Sequence, residues 1–194
     1  MLFFIDIETT HLKIEKGEII DFALIVDTPK KKKKHVVNYR IKPKHIHTAS
    51  KRALEINGYT ERAWSGARSM DHAAHDIHFT LRGTGIIFVG HNIKFDLEHI
   101  NYLLQKRGYD TIGRKTICTK SLALEHLPFL NSHSLKSLRS FFGISTEGAH
   151  TALKDALDCR DIYYRLIRAS AFQRMLWRYN WRIRKWIKKH FQDG

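Results

Sequence analysis

Leu2-Phe3-Phe4-Ile5-Asp6-Ile7-Glu8 is the stretch on which the fold turns. Its first four residues form a continuous, β-prone apolar run, the pattern of a strand covered on both faces, and Asp6-Ile7-Glu8 ends it. Residues i and i+2 leave a strand on the same side, so Asp6 and Glu8 project together at its C-terminal end, where open α/β sheets receive their ligands. Two carboxylates so close call for a cation. A D-x-E arises readily by chance in a chain with 19 acidic residues, so this pair takes its weight from what accompanies it. The other one, Asp96-Leu97-Glu98, heads a predicted helix, where i and i+2 point about 200° apart and do not share an ion.

Working outward, residues 19–26 and 35–41 read as two further strands joined through Lys30 to Lys34, predicting a three-stranded antiparallel opening unit. The lysine run suits a hairpin tip, read either as a solvated loop or as a phosphate- or lipid-steering one. The period then changes. Residues 49–57 and 70–81 suit helices, 85–90 form a short buried strand between glycines, and 95–107 carry apolar residues at helical spacing. A short strand at 116–118 precedes helical patterns at 120–126, 134–142 and 151–169. Strands in a row, then strands alternating with helices, predict an α/β fold with a mixed sheet covered by helices. Residues 1–170 form one domain, and 171–194 a basic C-terminal helix.

Composition limits the function classes. The 194 residues carry a formal net charge of +15 with 43% hydrophobic content, enough apolar material for a core and a surface that attracts phosphate backbones or anionic lipid. The cysteines, Cys118 and Cys159, form no C-x-x-C pair, which excludes a disulfide scaffold or zinc ribbon and suits a reducing compartment. With no basic, apolar leader at the N-terminus and no long apolar run, a cytoplasmic protein is expected.

Asp96 follows a buried strand in His91-Asn92-Ile93-Lys94-Phe95-Asp96, and from spacing alone it suits a helix N-cap or an ion ligand. Asp155 suits a salt-bridged helix face or the same ion. His150 lies five residues earlier, about 140° away on a continuous helix. After Gly148-Ala149 it can instead occupy a mobile loop and swing over a site that Asp155 reaches from the second turn.

In this order the elements resemble the DEDDh family of 3′–5′ exonucleases, which are DnaQ-like. The resemblance spans about residues 1–168, through Phe4-Ile5-Asp6-Ile7-Glu8-Thr9-Thr10, Gly90-His91-Asn92-Ile93-Lys94-Phe95-Asp96 and Ala149-His150-Thr151-Ala152-Leu153-Lys154-Asp155-Ala156. It implies a ribonuclease H-like fold in which Asp6, Glu8, Asp96 and Asp155 bind two divalent metals, Mg²⁺ or Mn²⁺, and His150 is the general base. A sister branch has tyrosine where Thr151 stands. By the same resemblance Thr9, Leu12, Ile56, Asn57 and Phe95 line the pocket for the 3′-terminal nucleotide. His11 occupies a position where many relatives have glycine, and Leu12 beyond it is the apolar wedge. The implied reaction is hydrolysis at single-stranded or frayed 3′ ends, DNA favoured over RNA. An exoribonuclease and a non-catalytic nucleic-acid or membrane-binding module are the rival readings. Without metal the four acids should repel one another and at least one should be harder to ionise.

Residues 171–190 place Phe172, Met175, Leu176, Tyr179, Ile183, Trp186 and Ile187 in one stripe at a 3.6-residue period, predicting an amphipathic helix. Three arrangements fit it. The stripe packs on the body with the charges in water; Trp177 and Trp181 stack bases while Arg174 and Arg178 hold phosphates; or the helix meets an anionic membrane or a protein partner.

Overall fold

A computed structural model describes residues 1–28, 35–113 and 115–191. The lysine run 30–34 and residues 192–194 lie outside that description. Five strands form one sheet in the order β3-β2-β1-β4-β5, with β1 Leu2–Thr9, β2 Ile19–Asp27, β3 His35–Arg40, β4 Ile87–Gly90 and β5 Thr116–Cys118. The first three strands are antiparallel, and β4 and β5 join parallel to β1. This is the expected mixed sheet, with β1 running one residue past Glu8 to Thr9.

β1 lies at the centre, and its period-2 alternation sorts the molecule into two layers. Phe3, Ile5 and Ile7 enter a core with Ile77 and Leu81 of helix α2 (Met70–Leu81) and with Leu97 and Ile100 of helix α3 (Ile93–Gln105). Phe4 faces the opposite way, into a cluster with Ala152, Ala156 and Tyr163 of helix α6 (Ala152–Arg168). The Phe4 and Tyr163 rings meet edge-on at 5.5 Å. Asp6 and Glu8 continue the Phe4 side of the strand, so they emerge beneath the first turn of α6. On β2 the same alternation puts Ala23 and Ile25 on the α6 side and Asp21 with them.

The remaining helices are α1 (Lys51–Ile56), α4 (Thr119–His126), α5 (Leu135–Phe142) and α7 (Ala171–Phe191). A third apolar cluster joins α4, α5 and α6 through Ala123, Leu127, Leu138, Ile162 and Leu166. Trp177 and Trp181 of α7 pack against it. Their rings stand edge-on to Phe141 at 6.0 and 6.1 Å, and Trp177 also meets Phe142 at 5.3 Å. That reverses one of the three arrangements, the one in which the stripe packs on the body: the indoles face the body, while Phe172, Met175 and Tyr179 are 65%, 57% and 62% exposed. Periodicity identifies two faces of a helix, but the ring-edge sockets at Phe141 and Phe142 select which one docks. No helix among the described residues is long and apolar enough to cross a membrane.

Candidate active site

Three elements, β1, α3 and α6, deliver the acids to one end of the sheet. β1 contributes Asp6 and Glu8 directly. The turn from β4 into α3 contributes Asp96, and it is tight because Gly90 has no side chain: a Cβ there would stand 3.2 Å from the Ile5 carbonyl oxygen and 2.7 Å from Ile93 Cδ1. Asn92, in the left-handed region at φ 78°, occupies the N-cap position, and α3 starts at Ile93. Asp96 therefore sits in the first turn rather than at the helix head, and the N-cap reading of it is corrected. Its Oδ1 accepts the Ile7 backbone N–H at 3.1 Å, fastening α3 to β1 between the two β1 acids. Glu98 points away to Lys94 at 3.7 Å, as its helical offset requires.

Asp155 also occupies a first turn, that of α6, not the second turn its spacing from His150 suggests, because the helix starts only at Ala152. Its carboxylate comes together with those of Asp6 and Glu8, one oxygen of each within 4.8 Å of the others. Those separations approach the ~4 Å between opposite oxygens around an octahedral Mg²⁺ at ~2.1 Å per bond. Asp96 stands beside them, near enough to raise the pKa values of Asp6 and Glu8.

The electrostatics are those of an acid cluster short of positive charge. Burial, then Asp96, Asp155 and Glu8, push Asp6 well above the ordinary carboxylate range. Burial, followed by Asp155, Asp21 and Asp96, pushes Glu8 up to about 8 against a small opposing pull from Arg139. Burial raises Asp96 to about 8 despite its backbone hydrogen bonds. An all-oxygen donor set whose members resist ionising together fits hard divalent cations of the Mg²⁺ or Mn²⁺ class, which would supply the missing charge.

Two residues without a motif hold this arrangement. Arg139 of α5 is 2% exposed and its guanidinium bridges Asp155 Oδ1 and Asp158 Oδ2, both at 2.6 Å. Lys154 closes the network on both oxygens of Asp158 at 2.6 and 2.7 Å. Asp21, opposite Glu8 in the β1–β2 register, accepts the Ala152 N–H at 3.1 Å and so pins the start of α6. The sequence carries a signal for each. Arg139 falls on the same helical face as Leu135, Leu138 and Phe142, and Asp21 interrupts the apolar run of β2.

His150 precedes α6 in a bend, with φ 66° and an exposed side chain. Its backbone N–H donates to Asp155 Oδ1 at 3.2 Å, and among the described residues its ring has no hydrogen bond. The expected nucleotide-pocket residues gather at the adjoining edge. Asn57, the C-cap of α1, donates through Nδ2 to the Thr9 carbonyl at 3.1 Å, and Ser50 N–H bonds the Thr10 carbonyl at 2.8 Å. The α1 segment is thereby tied to the end of β1, with Ile56 and Leu12 exposed at 46% and 78%. His11 closes its own turn: its Nδ1 accepts the Lys13 N–H at 2.9 Å and its carbonyl accepts the Thr9 hydroxyl at 3.1 Å. Phe95 is half-buried against His99, ring centres 4.2 Å apart. Trp177 and Trp181 are half-buried on α5, and Arg174 donates to the Ala169 carbonyl at 3.1 Å, while Arg178 is exposed.

The subunit epsilon of DNA polymerase III from Aquifex aeolicus is 29% identical over 175 residues, covering 87% of this chain and 81% of that protein. The PolC-type DNA polymerase III of Oceanobacillus iheyensis is 28% identical over 152 residues, but the chain spans only 10% of its length. Among solved structures, E. coli exonuclease I in complex with a dA16 oligonucleotide superposes with a TM-score of 0.70 at 19% identity, over 85% of this chain and 40% of that one. This agreement shows a ribonuclease H-like fold. The model of the exonuclease family RNase_T matches residues 3–163, a span that contains every acid of the cluster and His150. Since that match runs through most of the chain, the protein belongs to the exonuclease family, in its DnaQ-like DEDDh branch.

Proposed function

We propose that this nuclease is a 3′–5′ exonuclease that releases mononucleotides from single-stranded or frayed 3′ ends, with DNA preferred to RNA, in the cytoplasm. Residues 1–170 would be the catalytic domain and 171–194 an appended helix. The single observation that carries the reading is the convergence of Asp6, Glu8 and Asp155 within 4.8 Å, with Asp96 alongside. Its support from outside the chain is the epsilon subunit of a DNA polymerase and exonuclease I solved with a DNA oligonucleotide.

Two divalent ions held by Asp6, Glu8, Asp96 and Asp155 would activate water and offset charge on the scissile phosphate and the departing 3′ oxygen. The chain's own groups do the rest. His150, outside the hydrogen-bonded core yet anchored at its backbone to Asp155, takes the proton from the attacking water, a role suited to imidazole near neutral pH. Thr9 and Asn57 fix the edge that receives the terminal nucleotide. Leu12, Ile56 and Phe95 present apolar surface to its base and sugar. Arg139 holds Asp155 in place from behind.

The test uses one strand labelled at either end, as DNA and as matched RNA, with and without Mg²⁺. Mg²⁺-dependent release of mononucleotides from a 3′-hydroxyl end, faster on DNA, supports the reading. Release from the 5′ end, or none at all, refutes it, and faster cleavage of RNA transfers the site to an exoribonuclease.

A further inference from the structure

Helix α7 carries more than its packing requires. At about 100° per residue, Trp177 and Trp181 lie on one side and Phe172, Met175, Leu176, Tyr179 and Ile183 lie roughly opposite, within an arc of about 100°. The first side is filled by Phe141 and Phe142. The second is an open apolar stripe: these five of its residues are 65%, 57%, 39%, 62% and 39% exposed. A run of large apolar side chains turned away from the core, on a helix already anchored by its other face, is costly to leave in water and marks an interaction surface.

The charge of the helix selects the occupant. Residues 171–191 contain seven Lys and Arg and no Asp or Glu. Arg178 and Arg182 border the stripe on one side and are exposed. A second copy of the chain laid stripe to stripe would bring like charges together with no acid to pair them. A single strand would satisfy the cations and stack bases on Phe172 and Tyr179, but would leave the aliphatic Met175, Leu176 and Ile183 solvated. A bilayer surface containing anionic lipid accepts both halves at once: the stripe enters the boundary between headgroups and acyl chains, and the arginines meet the phosphates. Tyr179 is suited to that depth, apolar in its ring and polar at its tip.

We infer that α7 is an interfacial anchor that seats the protein on an anionic membrane surface through Phe172, Met175, Leu176, Tyr179 and Ile183. The Trp177 and Trp181 sockets on α5 couple this anchor to the body, so the catalytic domain is held at the surface in a defined orientation. The inference is independent of the nuclease reading, because it uses none of the acidic residues.

The experiment is co-sedimentation of the full chain with phosphatidylcholine vesicles prepared with and without phosphatidylglycerol. Beside it runs the triple variant Met175→Ser/Tyr179→Ser/Ile183→Ser, whose changes are confined to exposed positions and whose fold is checked by circular dichroism. The expected result is binding to phosphatidylglycerol vesicles, little to phosphatidylcholine alone, and at least tenfold weaker binding by the variant. Equal vesicle binding by both proteins, or none by the unchanged chain, overturns the assignment. So does a dimer in sedimentation equilibrium that the triple variant abolishes, which would give the stripe to a second copy. A parallel measurement of single-stranded DNA affinity completes the test: a loss there as large as the loss on vesicles also overturns it.

Discussion

Asp155 belongs at once to a buried ion network and to the acid cluster. Arg139 and the His150 N–H both bind Oδ1, and among the described residues Oδ2 has no hydrogen bond. Arg139→Ala leaves a buried carboxylate pair short of its counter-charge and should cost about 3 kcal/mol in urea unfolding. Arg139→Lys should recover less than half, since an ammonium does not fork across two carboxylates. His150 sits in the left-handed region, which disfavours a side chain by about 1–2 kcal/mol. His150→Gly should therefore leave stability within about 1 kcal/mol of the unchanged chain while turnover falls roughly a hundredfold, and a matching loss of both would make His150 structural. The acids add a pH signature. Folded Glu8 and Asp96 hold protons up to about pH 8, whereas their unfolded counterparts release them near pH 4. The folded state thus binds more protons over that span, and metal-free stability should fall as pH rises. His91, lowered to about 4 chiefly by burial, acts in the opposite sense below its ordinary value of 6.5, so the window to measure is pH 6.5 to 8. Thermal melts there should decline without metal and recover with Mg²⁺ or Mn²⁺, the recovery growing with pH.

At the scale of elements, each site residue owes its place to a junction. Gly90 lets β4 turn into α3 beside β1, and Gly90→Ala forces a methyl group toward the Ile5 carbonyl. We expect a loss of about 2 kcal/mol by thermal unfolding, with weaker Mn²⁺ binding because Asp96 moves away from Ile7. Sequence periodicity exposed most of these elements. Strand alternation put Asp6 and Glu8 on one face, and the helical offset separated Asp96 from Glu98. What it missed depends on neighbours that spacing does not encode. The starts of α3 and α6 at Ile93 and Ala152 move Asp96 and Asp155 into first turns, and the α6 start is fixed by a carboxylate 131 residues earlier, Asp21. The two faces of α7 were legible, but the docking choice belongs to rings on α5. Arg139 and Asp21 were overlooked because a lone charge in an apolar pattern belongs to no motif, although that interruption was itself the clue.

For the whole molecule, one central strand divides the labour. The odd residues Phe3, Ile5 and Ile7 build the core toward α2 and α3, while the even residues run from Phe4 under α6 to the acids at the sheet's end. The formal charge of +15 draws phosphate toward the protein, and the buried acid cluster is the exception on that basic background. Asp6→Asn should remove metal-dependent cleavage by roughly a thousandfold or more and weaken Mn²⁺ binding measured by calorimetry, with the fold intact; near-normal turnover would dissociate the cluster from catalysis. The most direct measurement is an anomalous difference map from crystals soaked in Mn²⁺. The account predicts two peaks about 3.5–4 Å apart, ligated by Asp6, Glu8, Asp96 and Asp155. An empty cluster, or ions bound only elsewhere on the molecule, would contradict it.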